Sequence, residues 1–236
     1  MLNLSSPVVM GIVNLTPDSF YDGGKFKNEN EIVATVHQML INGAVIIDVG
    51  AASSKPGAAL IDAVTEQKRL LPVAKILTKE FPEAVFSIDT YNSDTASKAI
   101  EAGFKIVNDI SAGSIDSAMI DVIASLQVPY IIMHMQGIPE TMQINPHYDS
   151  VTIDVIRFFS EKVELLRSKL VNDIIIDPGF GFGKNVEHNF SLLKNLELFK
   201  MFNCPVLAGL SRKSMINKVL KIKPDAALNG TTVLNT

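Results

Sequence analysis

Short apolar runs recur along the chain, at residues 7–13 (PVVMGIV), 44–50 (AVIIDVG), 84–89 (AVFSID), 105–109 (KIVND), 129–135 (PYIIMHM), 173–179 (DIIIDPG) and 205–210 (PVLAGL). Each is rich in Val and Ile and nearly continuous in apolar character, which is how a parallel strand buried on both faces reads. The segments between them change period. In 30–43 (NEIVATVHQMLING), Ile32, Val33, Val36, Met39 and Leu40 keep a helical spacing that ends at Asn42 and Gly43. The runs 62–81, 93–103, 116–126, 155–170 and 186–202 repeat it, and Pro72 inside the first of these marks a kink or a break.

Seven strands, each followed by helix, predict an α/β protein built from right-handed crossovers. The polar residues choose between an open doubly wound sheet and a closed barrel. Nearly every predicted strand ends in a polar group: Asn14, Asp48, Asp89, Asn108 with Asp109, His134, Asp177, and Ser211 to Lys213. An open sheet concentrates its ligand at one switch point, whereas a barrel collects groups from all strand ends around one mouth. No GxGxxG opens a helix after the first strand, which further weakens the dinucleotide-binding alternative. After 205–210 a helical stretch at 228–236 follows, with no eighth strand. Seven strands leave two edges with unpaired backbone. The expectation is therefore a TIM (β/α)8 barrel, one domain over residues 1–236, with the eighth strand and helix missing at its C-terminal end.

Composition narrows the function classes. Over 236 residues, 47% are hydrophobic and 19% charged, as in a folded globular chain able to bury a large core. The single cysteine, Cys204, forms no internal disulfide, and neither a signal-like start nor a membrane-length apolar run is present, so a cytoplasmic setting is expected. The net charge of −4 comes without a dense Lys/Arg block, so neither nucleic acid nor a membrane is expected as a partner.

Four stretches besides the first strand end carry candidate chemistry. Asp89 and Asp177 each close an apolar strand; either alone reads as a cap of the following turn. Two such carboxylates in one mouth, joined by Asn108, suit a flat heterocycle with amidine-like edges, because a carboxylate accepts paired N–H donors and an amide offers both a donor and an acceptor. The run DPGFGFGK (177–184) permits close backbone approach, with Phe180 and Phe182 as an aromatic wall and Lys184 facing solvent. SRK at 211–213 sets a hydroxyl and two cations where a helix start follows a buried strand, suited to an anion or an electron-rich carbonyl. The histidines show no HExxH pattern and no cysteine partner, so no zinc site is predicted, and His134 and His147 are core or loop residues. Met133, Met135 and Met142 read as packing.

Taken in order, VNLTPDSFYDGG (13–24), SSKPG (53–57), SIDT (87–90), VNDI (107–110), MHMQG (133–137), DPGFGFGK (177–184) and GLSRKS (209–214) resemble the dihydropteroate synthase family from residue 7 to residue 217. The resemblance implies an enzyme that condenses 6-hydroxymethyl-7,8-dihydropterin diphosphate with 4-aminobenzoate in folate biosynthesis. It also implies Mg²⁺, a homodimer and inhibition by sulfonamides. Carried over by position, it assigns Asp89, Asn108, Asp177 and Lys213 to the pterin, and Phe20, Pro56, Phe182 and Ser211 to the aminobenzoate. Asn14, Ser54, Lys55 and Arg212 go to the diphosphate, with Asn14 also on the metal. Asn14, Lys213 and Asp22, the last beside the developing cation, act in catalysis. Gly23 and Gly24 are hinges of the first loop.

Two departures from the family pattern stand out. Ser54 and Lys55 replace the usual Thr and Arg of the second loop, and Lys keeps the charge but loses the bidentate fork. The Arg-x-His pair of the family's eighth strand has no counterpart after residue 217. These leave a second reading, a pterin-binding protein without turnover; a third, a barrel that transfers a methyl group from a folate to a corrinoid, shares the Asp and Asn positions but has no use for the NLTPDSF loop or the SRK turn.

Overall fold

The structure is a computed structural model that describes residues 3–16, 21–22, 25–26 and 29–236. From the N-terminus, β1 (Val9–Asn14) is followed by a short hairpin, β2 (Tyr21–Asp22) and β3 (Lys25–Phe26), and by α1 (Glu29–Ile41). Strands and helices then alternate: β4 (Ala44–Gly50), α2 (Ala63–Glu80), β5 (Val85–Asp89), α3 (Ser93–Glu101), β6 (Ile106–Asp109), α4 (Met119–Leu126), β7 (Tyr130–Met133), α5 (Val151–Ser168), β8 (Ile174–Asp177) and α6 (Val186–Lys194). A 3-10 helix (Leu196–Phe202), α7 (Ser214–Leu220), a 3-10 turn (Pro224–Ala226) and α8 (Leu228–Asn235) complete the described chain.

Six strands form one parallel sheet in the order β1-β4-β5-β6-β7-β8. Apart from the hairpin, each strand lies beside its neighbour in the chain and the order never reverses. A doubly wound sheet must reverse at its switch point; a (β/α)8 barrel does not. The pattern is therefore that of a TIM barrel, with the sheet open among the described residues. The predicted strand at 205–210 is reduced to one bridge, Val206 to Ile176, flanked by Ile176 N donating to Pro205 O (3.0 Å) and Leu207 N donating to Ile176 O (2.9 Å). Pro205 has no N–H to extend that ladder. No eighth strand follows among the described residues.

Two helical runs also differ from expectation. α2 continues through Pro72, which sits on its exposed side, so the carbonyl freed on Lys68 belongs to an exposed residue. The run 186–202 splits at Asn195, the C-cap of α6 and N-cap of the 3-10 helix.

Because side chains alternate along a strand, the sheet has two apolar layers. Ile47, Val49, Phe86, Ile88 and Val107 pack outward against helix residues such as Leu70, Leu77 and Phe159, all fully buried. Burial of each large side chain contributes about 1.5–3 kcal/mol. On the opposite face, Ile46, Ile106, Ile131 and Ile175 form a second cluster. Two residues further on, the same face carries Asp48, Asn108, Met133 and Asp177. The apolar floor thus gives way to polar groups towards the C-terminal strand ends.

Candidate active site

Parallel register sets four strand ends side by side: Asn14 opposite Gly50, Gly50 opposite Asp89, and Asp89 opposite Asn108. Gly50 leaves room for this row, because a Cβ there would crowd Asp89, at 3.0 Å from Oδ2 and 3.2 Å from Cβ. Asn108 is held from below by Nδ2 donating to Asp48 Oδ2 at 3.0 Å. Asp48 is 4% exposed, and burial pushes its carboxyl up to about 6, tempered by Ser87 and Asn108. Its Oδ1 is buried without a hydrogen bond of good geometry. Asp89 is raised well above the usual carboxylate range, first by burial and then by the charges of Asp48, Glu66 and Asp109. A half-buried carboxylate of this kind, with its pKa raised, favours a ligand that brings N–H donors.

A second group forms around Asp177. Its Oδ1 accepts from Gly179 N at 2.8 Å. Burial raises its pKa, while that hydrogen bond and the cations of Lys213 and Lys184 oppose the rise. Lys213 caps α7 and holds Nζ 4.5 Å from the Phe182 ring centroid, a cation–π contact. Burial lowers its pKa and Asp177 partly restores it. The glycines of the loop allow this closeness: Gly181 has φ +86, and a Cβ there would lie 3.3 Å from Lys213 Cδ.

Lys184 does not face solvent. It is 3% exposed, and its Nζ reaches His134 O (3.1 Å), Gly179 O (3.0 Å), Phe182 O (2.9 Å) and His134 Nδ1 (3.0 Å). Burial brings its pKa down to about 7. His134 is a core histidine, 7% exposed, and burial together with Lys184 lowers it to about 3, so the ring is neutral near pH 7.

The remaining predicted residues lie at the rim. Asn14 is exposed at the end of β1. Ser54 is half-buried and Lys55 and Pro56 are exposed, on a loop tied to the one after β7 by Gly57 N donating to Pro139 O at 2.9 Å. Ser211 and Arg212 are exposed; the Arg212 guanidinium lies 3.8 Å from Asp225, and the Arg212 backbone N–H donates to Thr231 Oγ1 at 2.9 Å. No hydrogen bond among the described residues joins Lys55, Pro56, Ser211 or Arg212 to the two inner groups. Phe20, Gly23 and Gly24 lie outside the described residues. Of Asp22 the backbone is described, paired with Lys25 in the hairpin. Among the described residues no set of three His, Cys, Asp or Glu side chains forms a metal cage.

Sequence reasoning named Asp48 only as a polar strand end. The signal was its place two residues before Gly50, on the same face as that strand end. Glu66 was missed: it lies on α2, fully buried, accepting from Thr90 Oγ1 (2.8 Å) and Asn92 Nδ2 (2.9 Å), and so orders the turn after Asp89. The signal was its place on the apolar stripe of α2, four residues before Leu70 and in line with Val73, Ala74 and Leu77.

The pterin-binding enzyme family model matches residues 10–235. Dihydropteroate synthase of Escherichia coli K12 is 42% identical over 232 residues, covering 98% of this chain and 82% of that protein. The crystal structure of Yersinia pestis dihydropteroate synthase with a sulfonamide drug complex superposes with a TM-score of 0.91 at 38% identity, over 99% of this chain and 85% of that one. Xanthomonas albilineans dihydropteroate synthase with 4-aminobenzoic acid gives 0.90 at 35% identity, over 99% and 84%. Parallel strands in unreversed order, carboxylates and amides gathered at their C-terminal ends, and identity spread over nearly the whole length agree: the chain belongs to the pterin-binding enzymes and, among them, to the dihydropteroate synthases.

Proposed function

We propose that the enzyme joins 6-hydroxymethyl-7,8-dihydropterin diphosphate to 4-aminobenzoate, forming 7,8-dihydropteroate and pyrophosphate, with each predicted residue in the role its position suggests. The observation that carries the reading is the pair of carboxylates with raised pKa, Asp89 and the singly hydrogen-bonded Asp177, set with Asn108 and Lys213 at one end of the sheet. A pterin edge carries adjacent N–H donors, which are what Asp177 accepts best. Lys213 donates to the ring carbonyl side, and Asp89 and Asn108 meet the opposite edge.

Breaking the carbon–oxygen bond places negative charge on the departing diphosphate and positive charge on the pterin methylene. Lys55, Ser54 and Arg212 at the rim hold the diphosphate, and the resemblance gives Asp22 the role of stabilising the cation. Because the carbon–oxygen bond breaks before the new bond forms, the course is SN1-like; the aminobenzoate amine then attacks the methylene and loses its proton to solvent, and an arylamine, already nucleophilic, needs no strong general base. Phe182 walls the aminobenzoate with Pro56 and Ser211, and the resemblance assigns Phe20 to the same pocket; together they exclude water. A sulfonamide that mimics the aminobenzoate competes there.

Mg²⁺ keeps most of its water and takes one or two protein oxygens plus substrate phosphates. The exposed amide of Asn14 at a strand end fits that requirement, with the diphosphate supplying further oxygens. When bound, the ion adds charge to stabilise the leaving group. A homodimer, one domain per chain, is proposed on the resemblance and is tested by sedimentation equilibrium. The reading as a whole is tested by supplying both substrates and Mg²⁺ and following pyrophosphate: release that requires 4-aminobenzoate supports it, and pterin binding without release overturns it.

A further inference from the structure

The loop after β8 runs from Asp177 to Lys184 and folds back under itself. Gly179 and Gly183 take φ +72 and +61, and a Cβ on Gly179 would overlap the His134 carbonyl oxygen. Backbone turned in this way points carbonyls inward, where they need donors. Lys184 Nζ supplies them to the carbonyls of His134, Gly179 and Phe182, at 2.9–3.1 Å. His134 lies on the neighbouring loop, so one buried ammonium joins two loops. Outer ties run parallel to it: Tyr148 Oη donates to Gly183 O (2.7 Å), and Gln143 Nε2 donates to Gly181 O (2.5 Å).

An ammonium has three N–H donors, and Lys184 already has three carbonyl acceptors, with the His134 ring nitrogen also 3.0 Å away. None is left for a substrate. The residues it fixes do face the site: Phe182 stacks on Lys213, and Gly179 N is the donor to Asp177.

We propose that Lys184 is a positioning residue of the synthase reaction: by gathering the carbonyls of His134, Gly179 and Phe182 it fixes the Gly-rich loop that presents Phe182 to 4-aminobenzoate. This rests on the pocket assignment made above for Phe182. The amino-acid sequence placed this lysine in solvent, and a solvent-facing lysine would have no such effect.

The test is Lys184→Met, which keeps the length of the side chain and removes its donors. Expected is a rise of about tenfold in KM for 4-aminobenzoate with kcat changed less than about threefold, since displacement of a binding wall by a fraction of an ångström is enough. Amide exchange at residues 179–183 should accelerate about tenfold while that of β6 stays as in the wild type. A variant with lower melting temperature but unchanged KM overturns the proposal, as does loss of kcat at unchanged KM, which would place Lys184 in the chemistry. If Lys184→Met does not fold, Tyr148→Phe removes one outer tie, and a rise in KM of about twofold to threefold with faster loop exchange is expected; wild-type values in both overturn it. Should the wild type release no pyrophosphate, the functional reading fails, while the exchange measurement still decides whether Lys184 fixes the loop.

Discussion

Asp48→Asn should reverse a built-in cost of the site, and the effect has a distinctive dependence on pH. Asp48 is 4% exposed, with Oδ2 on Asn108 Nδ2 and Oδ1 without a good partner. Its carboxyl moves from 3.8 to about 6 on folding. Between those values the folded state holds more protons than the unfolded chain. The group's stabilising contribution is therefore complete below the unfolded value and is lost as pH rises through the folded one. Two pH units correspond to about 3 kcal/mol, so ionised Asp48 costs the fold about that much at neutral pH. Asparagine removes the titration but adds an NH₂ group needing a partner, a pH-independent cost of about 1–3 kcal/mol. Comparing the two proteins across pH cancels that cost. Urea unfolding of wild type and variant near pH 4, 6 and 8, followed by far-UV circular dichroism and tyrosine fluorescence, should show the variant gaining about 3 kcal/mol relative to wild type from the lowest to the highest pH, with m unchanged. The Asp48 charge also helps raise Asp89, so relief of Asp89 acts in the same direction. A variant offset that is equal at all three pH values would refute the reasoning.

Two further substitutions separate the halves of the site. Gly50→Ala places its Cβ against Asp89 Oδ2 and should weaken binding of the pterin diphosphate about tenfold while leaving the sheet intact, as measured by calorimetry and circular dichroism; wild-type affinity would show that Asp89 moves without consequence. Asp177→Asn replaces the carboxylate flanked by Lys213 and Lys184 and should cost about 2–3 kcal/mol of pterin binding, roughly 30- to 150-fold in Kd; unchanged binding would remove Asp177 from the pterin site.

What the chain by itself determined was the order of elements and the class of fold. The apolar runs and helical periods fell where the strands and helices lie, because burial on both faces of a parallel sheet demands continuous Val and Ile, and a helix on its surface demands a stripe. The strand-end polar residues were legible for the same reason: they interrupt a pattern that burial otherwise enforces. Pro205 hid the weakness of the last strand, since its missing donor matters only where a neighbour offers an acceptor.

Direction was decided by tertiary structure alone. Lys184 is a charged residue with no local mark of burial, yet the fold turns it into a ring of carbonyls; Glu66 lies on the apolar stripe of α2, but only the fold supplies Thr90 and Asn92 as its partners. Strand register, a property of pairs of segments distant in sequence, set Asn14, Gly50, Asp89 and Asn108 in one row. The shifted pKa values of Asp48 and Asp89 follow from that gathering, because desolvation and mutual repulsion exist only once the strands have brought the carboxylates together.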